Sequence, residues 1–381
     1  MTANALSSHY QSDPLNAYWM GLYKGTIRRN IAIGGSFLAK HAGQEFKVVD
    51  NYTDLFEIFV KSQKWNMAME DRRYFKFPFQ DPQVPFQKII DICKWREDQY
   101  FTEQRLAGVN PMSIQRVSYY KNDPGVTWSQ LQQKLNTTFP WTSTIRKTTG
   151  KTYLSFYETL QYNYVYVLHY PEYDSLETLT EHMPPGRTIK KAVSPIAIFV
   201  SKPRNYGPNK LVPIAIQMGH TQDSPVYTPD DSPDEWLLAK QTVQVADFAY
   251  GQTIEHLLKT HLFMEPICAS VLRYLDILHP LHQILKYHCR GIFGTNKFGG
   301  PYLLNPYNGT MEKLFAVGFK GAKTMMSKAF GKINWDMTDF QKNIKDRGLD
   351  DKKKLPFYPY RDDGQVIYKI INDLSREYIN L

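Results

Sequence analysis

Cysteine is scarce in this chain. Cys93, Cys268 and Cys289 form no CxxC pair and leave an odd count, so neither a zinc site nor a disulfide framework is expected and a reducing cytoplasm fits. Long apolar runs are missing as well. No uncharged stretch approaches the roughly 18 residues of a membrane-spanning helix, and AVSPIAIFVS at 192–201 reads as a strand, so a soluble protein is expected. The opening MTANALSSHYQSDPL has no apolar core and no Lys or Arg precedes Lys24, which argues against a secretory signal. Gly34-Gly35 lacks the Gly-Lys-Ser/Thr of a phosphate loop, and Leu257 stands where a zinc hydrolase of the HExxH type needs glutamate. Basic residues number 46 against 37 acidic, a net charge of +9. No arginine-rich block interleaved with aromatics accompanies that charge, so nucleic acid is not an expected partner, whereas peripheral contact with an anionic membrane surface is.

What is present is histidine, concentrated. Five of the ten histidines lie between Asp247 and Arg290. On an ordinary α-helix the five-residue spacing of His256 and His261 leaves their side chains roughly 140° apart, too far round to share one metal ion. A π-type turn, which stretches the local repeat to i→i+5, closes that gap. Pro266 just downstream has no N–H and crowds the carbonyl four residues back, so an irregular helix is expected there in any case.

Around this stretch the periodicity changes several times. Residues 1–45 read as a polar lead and a first helix, and Leu55, Phe56, Ile58, Phe59 and Val60 make a helical apolar face before an extended, Pro-broken run at 74–86. DQYFTEQRLAGVNPMSIQRV at 98–117 reads as a helix stopped by Gly108 and Pro111. YNYVYVLHY, SPIAIFVS and LVPIAIQMG read as short strands, with His169 and His182 expected at the surface. A Pro/Ser/Asp-rich connection follows, in which Asp231 or Ser232 can cap a helix whose first turn holds Pro233, Asp234 and Glu235. That helix runs through Trp236, Ala239, Val243 and Phe248 toward His256, and a later break is expected at His279-Pro280.

The segments AKQTVQVADF, HLLKTH, Glu265-Pro266, His279-Pro280, PLHQILKYHCR and TNKFGG agree in order and spacing with the central helices of the lipoxygenases, which this chain resembles. Leu-Ala-Gly-x-Asn-Pro at 106–111 and Tyr-Pro-Tyr-x-x-Asp-Gly at 358–364 extend the resemblance. It covers roughly 45–381 and implies a mainly α fold: a helical catalytic domain over 46–381 with a small antiparallel β subdomain. The leading β-sandwich of eukaryotic members is not expected, and neither is the last third of the catalytic domain.

The resemblance further implies a non-haem iron dioxygenase acting on polyunsaturated fatty acids. A hydrogen atom leaves the methylene between two cis double bonds, and O2 adds to give a hydroperoxide. His256 and His261 would be catalytic and metal ligands, Gln252 would lie between iron and substrate, and Gly299 would govern where oxygen arrives, while the residues themselves read Gly299-Gly300 equally well as a turn. Gly251 stands where the family usually has another histidine. The third histidine ligand and the terminal isoleucine carboxylate have no counterpart, because no histidine follows His288 and the chain ends at Leu381. Asn296, His279 and His288 take structural roles. A complementing C-terminal polypeptide is therefore an expected partner, and the competing expectation is a non-catalytic lipid-binding remnant or one half of a split enzyme.

Overall fold

The computed structural model describes residues 94–174, 176, 192–203, 207–289, 291–307 and 309–380. The expected lead and first helix over 1–45, the apolar face at 55–60, the extended run at 74–86, Cys93 and His182 lie outside the described residues. Two compact units result; one holds His261–Gly300 and the other the rest of the described residues. Among the described residues no helix is long and apolar enough to cross a membrane.

Helix α1 (Asp98–Ala107), in the larger unit, ends at Gly108. Beyond the Asn110-Pro111 turn lies strand β1 (Ile114–Ser118), where the sequence reads only as the end of a stopped helix. It pairs in parallel with β2 (Val126–Thr127), so the sheet is mixed and not purely antiparallel. The loop between them is turned back at Gly125, whose φ of 105° suits a residue without Cβ, and whose N–H bonds to Asp346 O at 2.8 Å. Arg116 Nη2 pins the same loop by donating to Pro124 O at 3.0 Å.

Helices α2 (Trp141–Thr149) and α3 (Phe156–Gln161) precede β3 (Val165–Leu168), β4 (Ile196–Lys202), β5 (Lys210–Gln217) and β6 (Val226–Tyr227). The strand order is β2-β1-β3-β4-β5-β6. Between β4 and β5 the register slips from Ile198↔Ala215 to Phe199↔Pro213, a bulge that leaves Ile214 without a register partner beside Pro213, which cannot donate to the ladder. Val165, Val167, Ile198 and Val200 pack with Ile145, Phe156 and Leu160, while Tyr166, Leu168, Ala197 and Phe199 pack with Trp236, Val243 and Ala246. Burial on both faces is why β3 to β5 read as continuous apolar runs. Each large side chain so buried contributes about 1.5–3 kcal/mol.

Helix α4 (Pro233–Tyr250) starts as its sequence dictates: Ser232 Oγ accepts from Glu235 N, and Glu235 returns the bond to Ser232 N. It continues into an irregular segment described below. The smaller unit then holds α5 (Phe263–Tyr274), α6 (Pro280–Leu285) and most of α7 (Ile292–Leu303). Its first helix ends at Tyr274, ahead of the expected His279-Pro280 break, and His279 caps α6 by accepting from Leu281 N at 3.1 Å. Cys268 and Cys289 form a disulfide with their Cα atoms 5.3 Å apart. This corrects the expectation from cysteine counting, which cannot see that the chain folds back after α5; the argument for a reducing compartment falls with it.

The larger unit resumes with α8 (Thr310–Leu314), α9 (Gly318–Phe330), α10 (Phe340–Asp346) and α11 (Pro359–Ile379). Its C-terminal part is tied to the turn after α1. Arg347 Nη1 donates to Pro111 O and Ile114 O at 3.2 and 3.1 Å, and Tyr358 OH donates to Pro111 O at 2.7 Å.

A buried ionic cluster joins α1, α4 and the end of β3. Arg105 Nη1 lies 2.8 Å from Asp247 Oδ2, both side chains being almost fully buried. Asn110 Nδ2 and Tyr170 OH each donate to Asp247 Oδ1 at 2.8 Å. Removing one member of such a set leaves a charge without a partner in the core. Asp247→Asn is therefore expected to lower stability by about 3–5 kcal/mol in urea unfolding; a loss below about 1 kcal/mol would contradict this role.

Candidate functional site

Directly after α4, residues Gly251–Leu262 wind as a π-helix, GQTIEHLLKTHL. The five-residue histidine spacing asks for this repeat, and Pro266 marks its end: the proline cannot donate to the carbonyl of Leu262, its ring crowds that carbonyl, and there the segment closes. Ile254 and Leu258 anchor it in the main core, while Gln252, Glu255, His256 and Lys259 are less buried.

Each histidine is held by a side-chain amide. In the larger unit, His256 Nδ1 donates to Gln252 Oε1 at 3.0 Å, and Thr260 Oγ1 donates to the carbonyl of His256. In the smaller unit, His261 Nδ1 donates to Asn296 Oδ1 at 2.8 Å. Asn296 is fixed in turn, because its Nδ2 donates to His261 O at 3.2 Å and to Glu265 Oε2 at 2.6 Å. An imidazole whose Nδ1 proton goes to an amide oxygen carries its lone pair on Nε2, the form a metal ion needs. Glu265 was a marker of resemblance in the sequence; its reach to Asn296 could not be read there.

The other sequence candidates divide. Gln252 contacts His256 directly. Gly299 lies inside α7, a turn beyond Asn296, so the Gly299-Gly300 pair is helical and not a turn. His282 is buried with Nδ1 on Leu275 O at 2.9 Å, and His279 serves as the cap of α6, so both spend Nδ1 on the backbone. His169, expected at the surface, is instead half-buried, its ring 4.9 Å from that of His220. Among the described residues no group of three or more His, Cys, Asp or Glu is placed to hold a metal ion.

Gly251 has a steric reason. A Cβ there would come 2.9 Å from Asn110 Cβ, so a side chain at this position would collide with the residue that donates to Asp247.

The family description "Lipoxygenase" matches residues 36–381. The chain belongs to the lipoxygenase family. Among its relatives are the mouse polyunsaturated fatty acid lipoxygenase ALOX8, 27% identical over 347 residues that span 90% of this chain and 46% of that protein, and the linoleate 9/13-lipoxygenase of Pseudomonas aeruginosa, 30% identical over 300 residues, 75% of this chain and 40% of that one. A solved calcium-dependent 11R-lipoxygenase shares the fold with a TM-score of 0.60 and 26% identity, over 75% of this chain and 38% of its own. The chain thus spans less than half the length of these relatives.

For a lipoxygenase, Gly251 is a departure, and the Asn110 contact makes it testable. Gly251→His is expected to displace Asn110 and cost about 1–3 kcal/mol through overpacking, measured by thermal or urea unfolding. Unchanged stability would show that the pocket at position 251 has room to spare.

Proposed function

We propose that this chain supplies two nitrogen ligands, His256 and His261, to one non-haem iron centre of the lipoxygenase type, and that the completed centre oxygenates polyunsaturated fatty acids to hydroperoxides. The observation that supports this is the pairing of each Nδ1 with a side-chain amide oxygen on or beside the π segment. The donor set fits iron in kind, since neutral imidazoles are its usual nitrogen ligands, and falls short in number. A second polypeptide supplies the remaining donors, an anionic oxygen among them.

The chain's own share of the reaction is positional. Gln252 and Asn296 fix the two rings and put the lone pair of each on Nε2, the form a metal ion requires, and Glu265 fixes Asn296. Gly299, on the helix that carries Asn296, leaves space for O2 to approach the substrate from one side. When bound, the iron supplies the one-electron chemistry that makes the methylene between two double bonds reactive toward O2.

A completing polypeptide is favoured by α11. Val366, Ile367, Ile370, Ile371 and Leu374 recur at helical spacing and are each between 57 and 62% exposed. A stripe of that extent on a 21-residue helix is an interaction surface that water does not favour. The competing reading, an iron-free lipid-binding remnant, predicts no metal dependence at all.

The test is iron retention and turnover by the purified chain. After loading with Fe(II) and desalting, the 381-residue protein should retain iron weakly, His256→Ala and His261→Ala should each abolish that retention, and linoleate should give little conjugated-diene absorbance. Adding a polypeptide with the missing histidine and carboxylate ligands should restore both. Iron retention unchanged in the double variant would overturn the ligand assignment, and rapid diene formation by the chain alone would overturn the ligand count.

A further inference from the structure

The larger unit contains a cavity of about 210 Å³ that the oxygenation reading does not use. Its lining includes Arg347, His169, Ser113 and Tyr250, with Glu255 and Lys259 from the π segment. Arg347 is only 7% exposed. Its Nε donates to Asn343 Oδ1 at 3.0 Å and its Nη1 to the two carbonyls named above, whereas Nη2 is buried without a hydrogen-bond partner. Among the described residues no carboxylate pairs with this guanidinium. The two carboxylates that line the cavity are already engaged: Glu255 with Lys259 at 2.7 Å, and Glu172 with Lys332 at 2.7 Å and Tyr250 OH at 3.1 Å.

His169 brings a second orphan. The residue lines the same cavity, and its Nε2 is buried without a hydrogen-bond partner. Burial, reinforced by His220 and Lys134, pushes its pKa down to about 3, so the ring is neutral at physiological pH and can offer one N–H. A buried cation without a counter-charge and a buried ring nitrogen without a hydrogen bond are each costly to keep. Both costs fall if the same small anion accepts from both.

We propose that this cavity is a binding site for a small monocarboxylate, one oxygen accepting from Arg347 Nη2 and the other from His169 Nε2. One positive charge against one negative, and two donors against two oxygens, set the class. The site is separate from the proposed iron ligands. It adjoins them through the backbone, because Glu255 precedes His256 in the π segment.

Isothermal titration calorimetry on the full chain, with acetate, phosphate and chloride at matched ionic strength, tests this. Acetate should bind saturably with 1:1 stoichiometry and chloride should not. His169→Phe should weaken acetate about tenfold, as expected for losing one hydrogen bond to a charged group, while removing an unsatisfied buried nitrogen and so leaving stability equal or higher. Arg347→Gln should abolish binding; should that variant fail to fold, His169→Phe decides. Acetate heats that do not saturate, acetate affinity unchanged in a folded His169→Phe, or phosphate binding more tightly than acetate would each overturn the carboxylate assignment.

Discussion

The hydrogen bond from an imidazole Nδ1 to a side-chain amide oxygen is the interaction on which the candidate site depends. A free neutral histidine divides its proton between two nitrogens, and a ligand must have it on one of them only. Gln252 makes that choice for His256 from one turn earlier on the same segment, and Asn296 makes it for His261 from another helix. The second arrangement needs more support. Asn296 Oδ1 reaches His261 only while Glu265 and the His261 carbonyl hold its Nδ2, so the amide cannot flip without breaking two further bonds. Glu265 sits next to Pro266, and the proline also ends the π segment. One Glu-Pro pair thus sets both the winding of the helix and the tautomer of its second histidine.

A second constraint stands behind the first. The π segment begins at Gly251 against Asn110, and Asn110 is held by Asp247, which is paired with Arg105 and Tyr170. Two sequence motifs far apart, Leu-Ala-Gly-x-Asn-Pro and Ala-Asp, therefore meet at the start of the irregular helix. A buried ion pair does little for net stability by itself, yet it is costly to form any other way, and that selects one register of α1 against α4.

Much of this was legible in the residues, for reasons that can be named. Strands β3 to β5 announced themselves because burial on both faces leaves β-branched and aromatic runs. The start of α4 followed from Ser232, Pro233 and Glu235, whose interactions are local. The π segment followed from the histidine spacing and Pro266. Features that depend on meetings between distant segments did not show: β1, whose partners β2 and β3 decide its conformation; the Cys268–Cys289 bond; the burial of His169 against His220; and Asn296 reaching Glu265. Gly299-Gly300 misled for the opposite reason. Its local preference is for a turn, and the helix that holds it runs straight through. Asn296 and Gly299, which the sequence joins in TNKFGG, thus lie on one helical element.

The central claim is that the neutral form of each candidate ligand carries its proton on Nδ1. Long-range proton–nitrogen correlation NMR on the imidazole-labelled chain, at a pH above the ordinary histidine pKa and without metal, reads this directly. The account predicts that His256 and His261, assigned by substitution, show a protonated Nδ1 and an unprotonated Nε2, and that Gln252→Leu and Asn296→Leu each release only their own histidine to the mixed pattern of free imidazole. Finding both rings protonated at Nε2 in the unmodified chain would contradict it.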